Sequence, residues 1–303
     1  MGFILQRRIT VKKVGYFFLG FVPFFITFAF QYLSAFFMMG VSILCTIFHI
    51  PEGVYPMSVW YEIWMDTDFN TVIMIIYALD CICLFGIWYY WRLGGEYLPN
   101  PRKTFHPLLF GAVAVLVPGA QMVCGYISSF LGTLVPSWME QYEELLEMAG
   151  LTDDISILML CYSVILAPIG EELVFRGVTL RIFRRALPFW AANIMQATLF
   201  GIFHGNWLQG FYAGALGLLL GYICERCDSI YYSIFLHFLF NLWGTVISSW
   251  ITVEEGSMAE MVYFVVMNIL MIVSIAAGAF LLHLGLEKRE EKIKRLQSAT
   301  ANN

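Results

Sequence analysis

Residues 155–177 read ISILMLCYSVILAPIGEELVFRG: sixteen residues without a charge, then two adjacent glutamates and an arginine within the next six. An apolar run of that length is long enough to cross a bilayer as a helix. Glu171, Glu172 and Arg176 stand at its end. Charge in such a medium forfeits hydration, so ionisable residues inside membrane segments generally mark function.

Working outward, further apolar segments of spanning length fall at 14–50, 71–91, 107–135, 188–206, 208–224, 230–251 and 260–286. The 303-residue chain is 60% hydrophobic and 13% charged, with a mean hydropathy of +0.73. A soluble domain cannot carry that much apolar surface. The composition therefore predicts an all-α, polytopic membrane helix bundle with eight transmembrane helices. Along the chain it reads as N-terminal transmembrane helices with an external amphipathic segment (1–154), a central core (155–251), and a last helix with a charged tail (252–303). No cleavable signal peptide is expected, because the run after Arg7, Arg8, Lys12 and Lys13 is far longer than a signal-peptide core and lacks a small-residue cleavage site.

The seventeen Lys and Arg lie at 7–13, 92–103, 176–185, 226 and 288–295. With eight spans and a cytoplasmic N-terminus, all of them fall on the cytoplasmic side, and both termini are cytoplasmic. The other side receives Glu52, Glu62, Asp66, Asp68, the acidic stretch from Glu140 to Asp154, Glu254, Glu255 and Glu260. The same rule makes 14–50 one long helix, tilted or kinked at Pro23, because two helices there would send the N-terminal cations outside. Trp88, Tyr89, Tyr90 and Trp91 before Arg92 read as an interfacial aromatic belt.

Between Pro136 and Asp154, Trp138, Tyr142, Leu145, Leu146 and Met148 alternate with Glu140, Glu143, Glu144 and Glu147. This fits an amphipathic helix on the bilayer surface and equally a cap packed on the bundle. Gly210, Gly214, Gly217 and Gly221 give the sixth segment a small-residue face for close helix packing. Five of the seven cysteines sit in apolar runs as small hydrophobes. Cys224 and Cys227 have half-zinc-site spacing, but no second CxxC completes a site, and no metal role is assigned there.

Glu172 and Arg176 are spaced i,i+4 with the acid N-terminal, the favourable ion-pair order. Glu171 is turned about 100° away on an α-helix. One glutamate is thus held by arginine while the other remains available as a base. Ala186-Leu187-Pro188 is the natural turn to the next segment, and an antiparallel hairpin about it brings Glu171 level with His204. His237 and Asn241 share a face on the seventh segment. His237 sits roughly 10 Å in from the segment's start and Glu171 roughly 7 Å in from Arg176, at 1.5 Å per residue. Three segments then deliver polar groups to one depth. If His204 lies near the cytoplasmic side, residues 205–210 form a turn within the membrane, tolerated only where buried in protein or lining a wet cavity. His49, His106 and His283 read as structural. Asp80, the other intramembrane acid, reads as a partner for a polar group or a cavity wall.

At these residues the chain resembles the CPBP family of CAAX prenyl endopeptidases and bacteriocin-processing enzymes, also called Abi. Its motifs are Glu-Glu-x-x-x-Arg, Phe-x-x-x-His and His-x-x-x-Asn. They stand here, in order, as Glu171, Glu172 and Arg176, then Phe200 and His204, then His237 and Asn241, within about 155–250.

The resemblance implies intramembrane proteolysis. In that reading Glu171, assisted by His204, is the general base on a water, and His237 and Asn241 polarise the scissile carbonyl. Glu172 and Arg176 support the site. It also leaves a zinc open, with Glu171, His204 and His237 as the ligands if a metal takes part; the absence of His-Glu-x-x-His favours a glutamate-activated water. The partners so implied are a peptide or membrane-anchored protein substrate and the lipid bilayer, with no nucleic acid. Bacteriocin maturation, self-immunity and peptide signalling are the settings the family offers. The alternative is a noncatalytic immunity or scaffold protein. A transporter fits less well, since no duplicated halves are visible.

Overall fold

A computed structural model describes residues 2–49, 55–93, 105–152, 155–248, 253–254 and 256–301. Glu52, Arg102, Lys103, Asp154 and Glu255, used above to assign sides of the membrane, lie outside these. The described residues form helices and no strand. Counting each π-helical stretch with the helix it continues, the helices are α1 (Gly2–Leu19), α2 (Val22–His49), α3 (Pro56–Met65), α4 (Thr67–Ile87, extended by Trp88–Leu93), α5 (Pro107–Leu134), α6 (Pro136–Met148), α7 (Ile157–Arg184), α8 (Phe189–Phe203), α9 (Trp207–Arg226), α10 (Ile230–Leu242, extended by Trp243–Ile247) and α11 (Met258–Ala301).

Seven stretches are long and apolar enough to cross a membrane: Val11–Phe48, Thr67–Trp91, Pro107–Leu134, Ile157–Arg184, Trp207–Arg226, Ile230–Ile247 and Met258–Arg295. Their outer faces carry exposed Phe25, Phe36, Phe37, Ile47, Phe264, Ile272 and Phe280. Such surface is stable in lipid and not in water. The chain is a multi-pass membrane protein. The fifth apolar segment, 188–206, differs from expectation. Its helix α8 has 15 residues, about 22 Å at 1.5 Å per residue, and the chain turns at His204-Gly205-Asn206 before α9 begins.

The residues fall into two compact units. In the first (1–89 and 140–187), α1 and α2 make up the long N-terminal span. Helical hydrogen bonding is interrupted at Gly20–Phe21, and Pro23 stands in the first turn of α2, where its missing N–H costs nothing. α3 was not visible in the sequence, because ten residues give too little periodicity. It is tied to α2 by the Trp60 indole N–H donating to Ser42 at 3.1 Å. α7 holds two π stretches, Tyr162–Leu166 and Leu173–Leu180. The first precedes Pro168, which cannot donate to the carbonyl four residues back and would clash with it in a regular α-helix; the wider turn gives the ring room. The N–H of Ala167 bonds the carbonyl of Tyr162, five residues back.

The second unit (90–139 and 188–303) has a continuous core of Leu109, Val113, Leu116, Leu216, Leu220, Ile223, Tyr232, Leu236 and Phe240. α5 carries Pro118 inside the helix. There the Ser274 hydroxyl of α11 inserts into the backbone ladder, donating to the Val115 carbonyl at 2.6 Å and accepting from the Gly119 N–H at 2.8 Å. The α8–α9 hairpin closes on the glycine face read from the sequence. A Cβ on Gly201 would strike the Gly210 carbonyl, and one on Gly221 would strike the Asn193 amide. Buried Asn193 and Gln196 complete the seam: Asn193 donates to the Leu218 carbonyl at 3.0 Å, and Gln196 donates to the Gly217 carbonyl at 2.9 Å and to Asn193 Oδ1 at 2.8 Å.

Gly201→Ala is predicted to lower the melting temperature of the detergent-solubilised protein, at an overpacking cost of about 1–3 kcal/mol. Gly111→Ala, where an added Cβ meets nothing within 4 Å, serves as the control and is predicted to be neutral or slightly stabilising. Burial, and then Lys292, Lys288 and Arg289, hold His106 at the start of α5 below its ordinary pKa. A lowered folded-state value means full stabilisation above the ordinary histidine range and loss as pH falls through the folded value. His106→Gln is predicted to flatten the mildly acidic limb of the stability–pH curve, read by thermal unfolding.

Candidate active site

The site residues arise from three short stretches of helix, and the two units present them separately. In the first unit, α7 turns from α into π geometry immediately after Glu172. Isolated π turns recur at functional sites because they widen the helix and re-aim side chains. Glu172 and Arg176 are completely buried, and the Arg176 guanidinium donates to Glu172 Oε1 at 2.7 Å. The pairing read from i,i+4 spacing is therefore present, and it persists through the π segment. Val174, Phe175, Val178 and Leu180 around it are fully buried as well, so the pair's charge is balanced internally and not by solvent.

Glu171 is half-buried, unlike its neighbour. The turn that carries it is pressed against α4, since a Cβ on Gly170 would lie 3.5 Å from the Ala78 carbonyl and 3.7 Å from Cys81. Tyr77 and Cys81 of α4 and Tyr162 of α7 lie within electrostatic range of Glu171. These three lie near the acid, yet sequence reading missed them. Tyrosine and cysteine in an apolar run are read as packing residues, and nothing in their spacing marks them. Asp80, one residue before Cys81, is exposed.

In the second unit, His204 caps α8 and His237 lies buried in α10. His204 Nδ1 is 2.8 Å from the Phe200 carbonyl. A carbonyl only accepts, so Nδ1 carries a proton, and a neutral ring so oriented keeps its lone pair on Nε2. The buried Phe200 ring stands edge-on to both imidazoles, with centroids 4.8 Å from His204 and 5.8 Å from His237 and both interplanar angles 89°. Phe200 thus sets the spacing of the two histidines, which gives the aromatic position of the Phe-x-x-x-His pattern a physical role. Asn241 lies one turn beyond His237 and is half-buried.

Gly205, at φ +68°, reverses the chain directly after His204. The left-handed region strongly favours glycine, so this residue fixes where the imidazole ends up. Asn206 then caps α9 by accepting from the Gln209 N–H at 3.1 Å. The amide seam of Asn193 and Gln196 holds the same hairpin together and also escaped the sequence reading. Its only signal was two uncharged polar residues, three apart, inside an apolar segment.

The structure thus brings Glu172 and Arg176 together beside Glu171 in the first unit, and Phe200, His204 and His237 together in the second, with Asn241 one turn beyond His237. Among the described residues, no group of three or more His, Cys, Asp and Glu is arranged to hold a metal ion. No step below passes through a metal. Cys224 and Cys227 are buried and not joined in a disulfide.

Loss of Arg176 alone is predicted to be severe. Arg176→Leu leaves the Glu172 carboxylate buried beside an apolar side chain, at a cost of about 3–5 kcal/mol. The double variant Glu172→Leu/Arg176→Leu is predicted to recover most of that stability in thermal unfolding. Equal losses in the two variants would show that the pair does not hold the site.

Residues 153–243 match the family described as type II CAAX prenyl endopeptidase Rce1-like. Over 84 residues the chain is 29% identical to a Bacillus subtilis (strain 168) protein named "Putative membrane peptidase YdiL". That match covers 28% of this chain and 34% of the relative, so the chain spans about a third of the relative's length. No solved structure matches the chain.

Proposed function

We propose that this chain, whose residues 153–243 match the type II CAAX prenyl endopeptidase Rce1-like family, is an intramembrane endopeptidase cleaving a peptide or membrane-anchored protein. The observation that carries the reading is that every polar motif residue, from Glu171 to Asn241, falls inside the matched stretch. Several of them are held by specific contacts. A scaffold has no use for a fully buried Glu172–Arg176 pair or for two imidazoles spaced by one aromatic ring.

In this proposal Glu171 is the general base. It takes a proton from water as the water's oxygen attacks the scissile carbonyl carbon, and later delivers that proton to the leaving amine. His204, with Nδ1 committed to the Phe200 carbonyl, uses Nε2 to orient the water. His237 and the Asn241 amide stabilise the oxyanion of the tetrahedral intermediate, where preorganised donors in a water-poor site are most effective. Glu172 and Arg176 act as positioning residues: by neutralising each other they keep a second negative charge from raising the cost of ionising Glu171. The levelling of Glu171 with His204 across the Leu187 turn belongs to this proposal, as do the eight-helix count and the cytoplasmic placement of both termini. In that topology the short helix α8 finishes its passage at the recessed Gly205 turn.

The test is cleavage of membrane-anchored reporter peptides by the purified full-length protein in lipid nanodiscs. Glu171→Gln and His204→Ala are each predicted to lower the rate by at least about a hundredfold without loss of folding. Activity that persists after exhaustive chelation assigns the water activation to Glu171 alone, whereas activity lost on chelation and restored by zinc assigns it to a metal. Full activity in Glu171→Gln would remove the proposal and leave the noncatalytic immunity or scaffold reading, in which the biological effect survives that substitution.

A further inference from the structure

From Pro107 to Leu134, α5 has no charged residue and a single side-chain amide, Gln121. Gln121 is half-buried near the centre of a span. An unpaired amide is costly in hydrocarbon, so such a side chain seeks a partner on a neighbouring helix. Gln121 finds one in α10, where its Nε2 donates to the Phe240 carbonyl at 2.5 Å.

Both ends of this bond are held in place. Three residues before Gln121, Pro118 interrupts α5, and the Ser274 hydroxyl spans the gap through Val115 and Gly119. Three residues after it, the Cys124 thiol donates to the Tyr212 carbonyl of α9 at 3.7 Å. Leu116, Cys124 and Phe240 share one buried core. On α10 the Phe240 carbonyl also accepts from the Trp243 N–H, and π geometry begins at Trp243. A change of step from α to π disturbs the hydrogen-bond ladder and admits an outside donor. A Cβ on Gly244 would sit 3.6 Å from Gln121 Nε2, so the amide lies beside the turn that follows Asn241. The Phe240 carbonyl and the Asn241 N–H belong to one rigid peptide plane. A donor fixed on that carbonyl fixes the plane, and with it the direction in which Asn241 leaves the backbone.

We propose that Gln121 is a positioning residue for Asn241, holding the Asn241 amide where the oxyanion forms. The assignment rests on the reading above, in which His237 and Asn241 stabilise the tetrahedral intermediate. Donors in that role work because they are preorganised, and misplacing one by about 1 Å costs about a hundredfold in rate. An interaction made only in the transition state lowers kcat when it is lost and leaves KM in place. Gln121 touches no reacting atom; it acts through the peptide that carries Asn241.

The experiment takes two readouts from the full-length protein in lipid nanodiscs. The first is a double-mutant cycle on reporter-peptide cleavage. Gln121→Met, similar in length and without a donor, lowers kcat by at least about tenfold and leaves KM within about twofold. In the Asn241→Ala background the same substitution changes kcat by less than about twofold, because the group it orients is gone. An equal loss in both backgrounds, an unchanged kcat where Asn241 is present, or a loss carried by KM alone overturns the proposal. The second readout needs no activity. With phenylalanine carbonyl carbons and asparagine nitrogens isotope-labelled, only the peptides Phe69–Asn70 and Phe240–Asn241 give a cross-peak in the NMR spectrum. Gln121→Met moves the Phe240–Asn241 carbonyl signal upfield and leaves Phe69–Asn70 in place. A wild type that cleaves no peptide removes the peptidase reading, and the spectrum alone then judges this assignment: an unmoved Phe240–Asn241 signal overturns it. If Gln121→Met does not fold, Gln121→Asn, which keeps the amide one methylene short of the carbonyl, takes its place in both readouts with the same outcomes.

Discussion

The Glu172–Arg176 pair is the constraint on which the α7 region depends. Both side chains are fully buried, in a helix of membrane-spanning length. Neither charge can be satisfied by solvent, so each requires the other, and the helix must keep them at hydrogen-bonding distance. It does so while running in the wider π geometry from Leu173 to Leu180. A buried pair of this kind contributes little net stability compared with apolar residues, since desolvation offsets most of the attraction. Its retention is therefore better explained by what it does for Glu171, the half-buried acid beside it, than by what it adds to the fold.

The second unit solves a different problem, that of ending a helix early and in one defined place. α8 stops after fifteen residues, and His204 and Gly205 turn the chain into α9. Such a turn is stable only if the two helices approach closely enough to hold it, and the Gly201–Gly210 contact and the Asn193–Gln196 amide seam supply that closeness. Buried amides that donate to backbone carbonyls of a neighbouring helix are worth modest energy each but fix the register. His204 inherits that fixed register, and Phe200 transmits it to His237 through two edge-on ring contacts.

Much of this was legible in the sequence, because membrane proteins write their architecture in long apolar runs. The run from 155 to 170 and its terminal charges gave the span, the ion pair and the candidate acid, since hydropathy and i,i+4 spacing are local properties. The glycine face of α9 was legible for the same reason. What escaped was what depends on contacts between helices. Tyr77, Cys81 and Tyr162 near Glu171 have no local signature, and neither does the π geometry of α7. The shortness of α8 was foreshadowed by the proposed turn at 205–210, yet its segment still read as spanning length because the apolar run continues past the helix end.

The claim that Glu171 activates water for peptide hydrolysis is tested most directly by labelling new protein N-termini in membranes from cells producing the wild-type chain or Glu171→Gln at matched levels. The account predicts a set of cleaved membrane-protein termini, or one dominant terminus, present with the wild type and lost with the variant. Identical sets of termini in the two samples would contradict it.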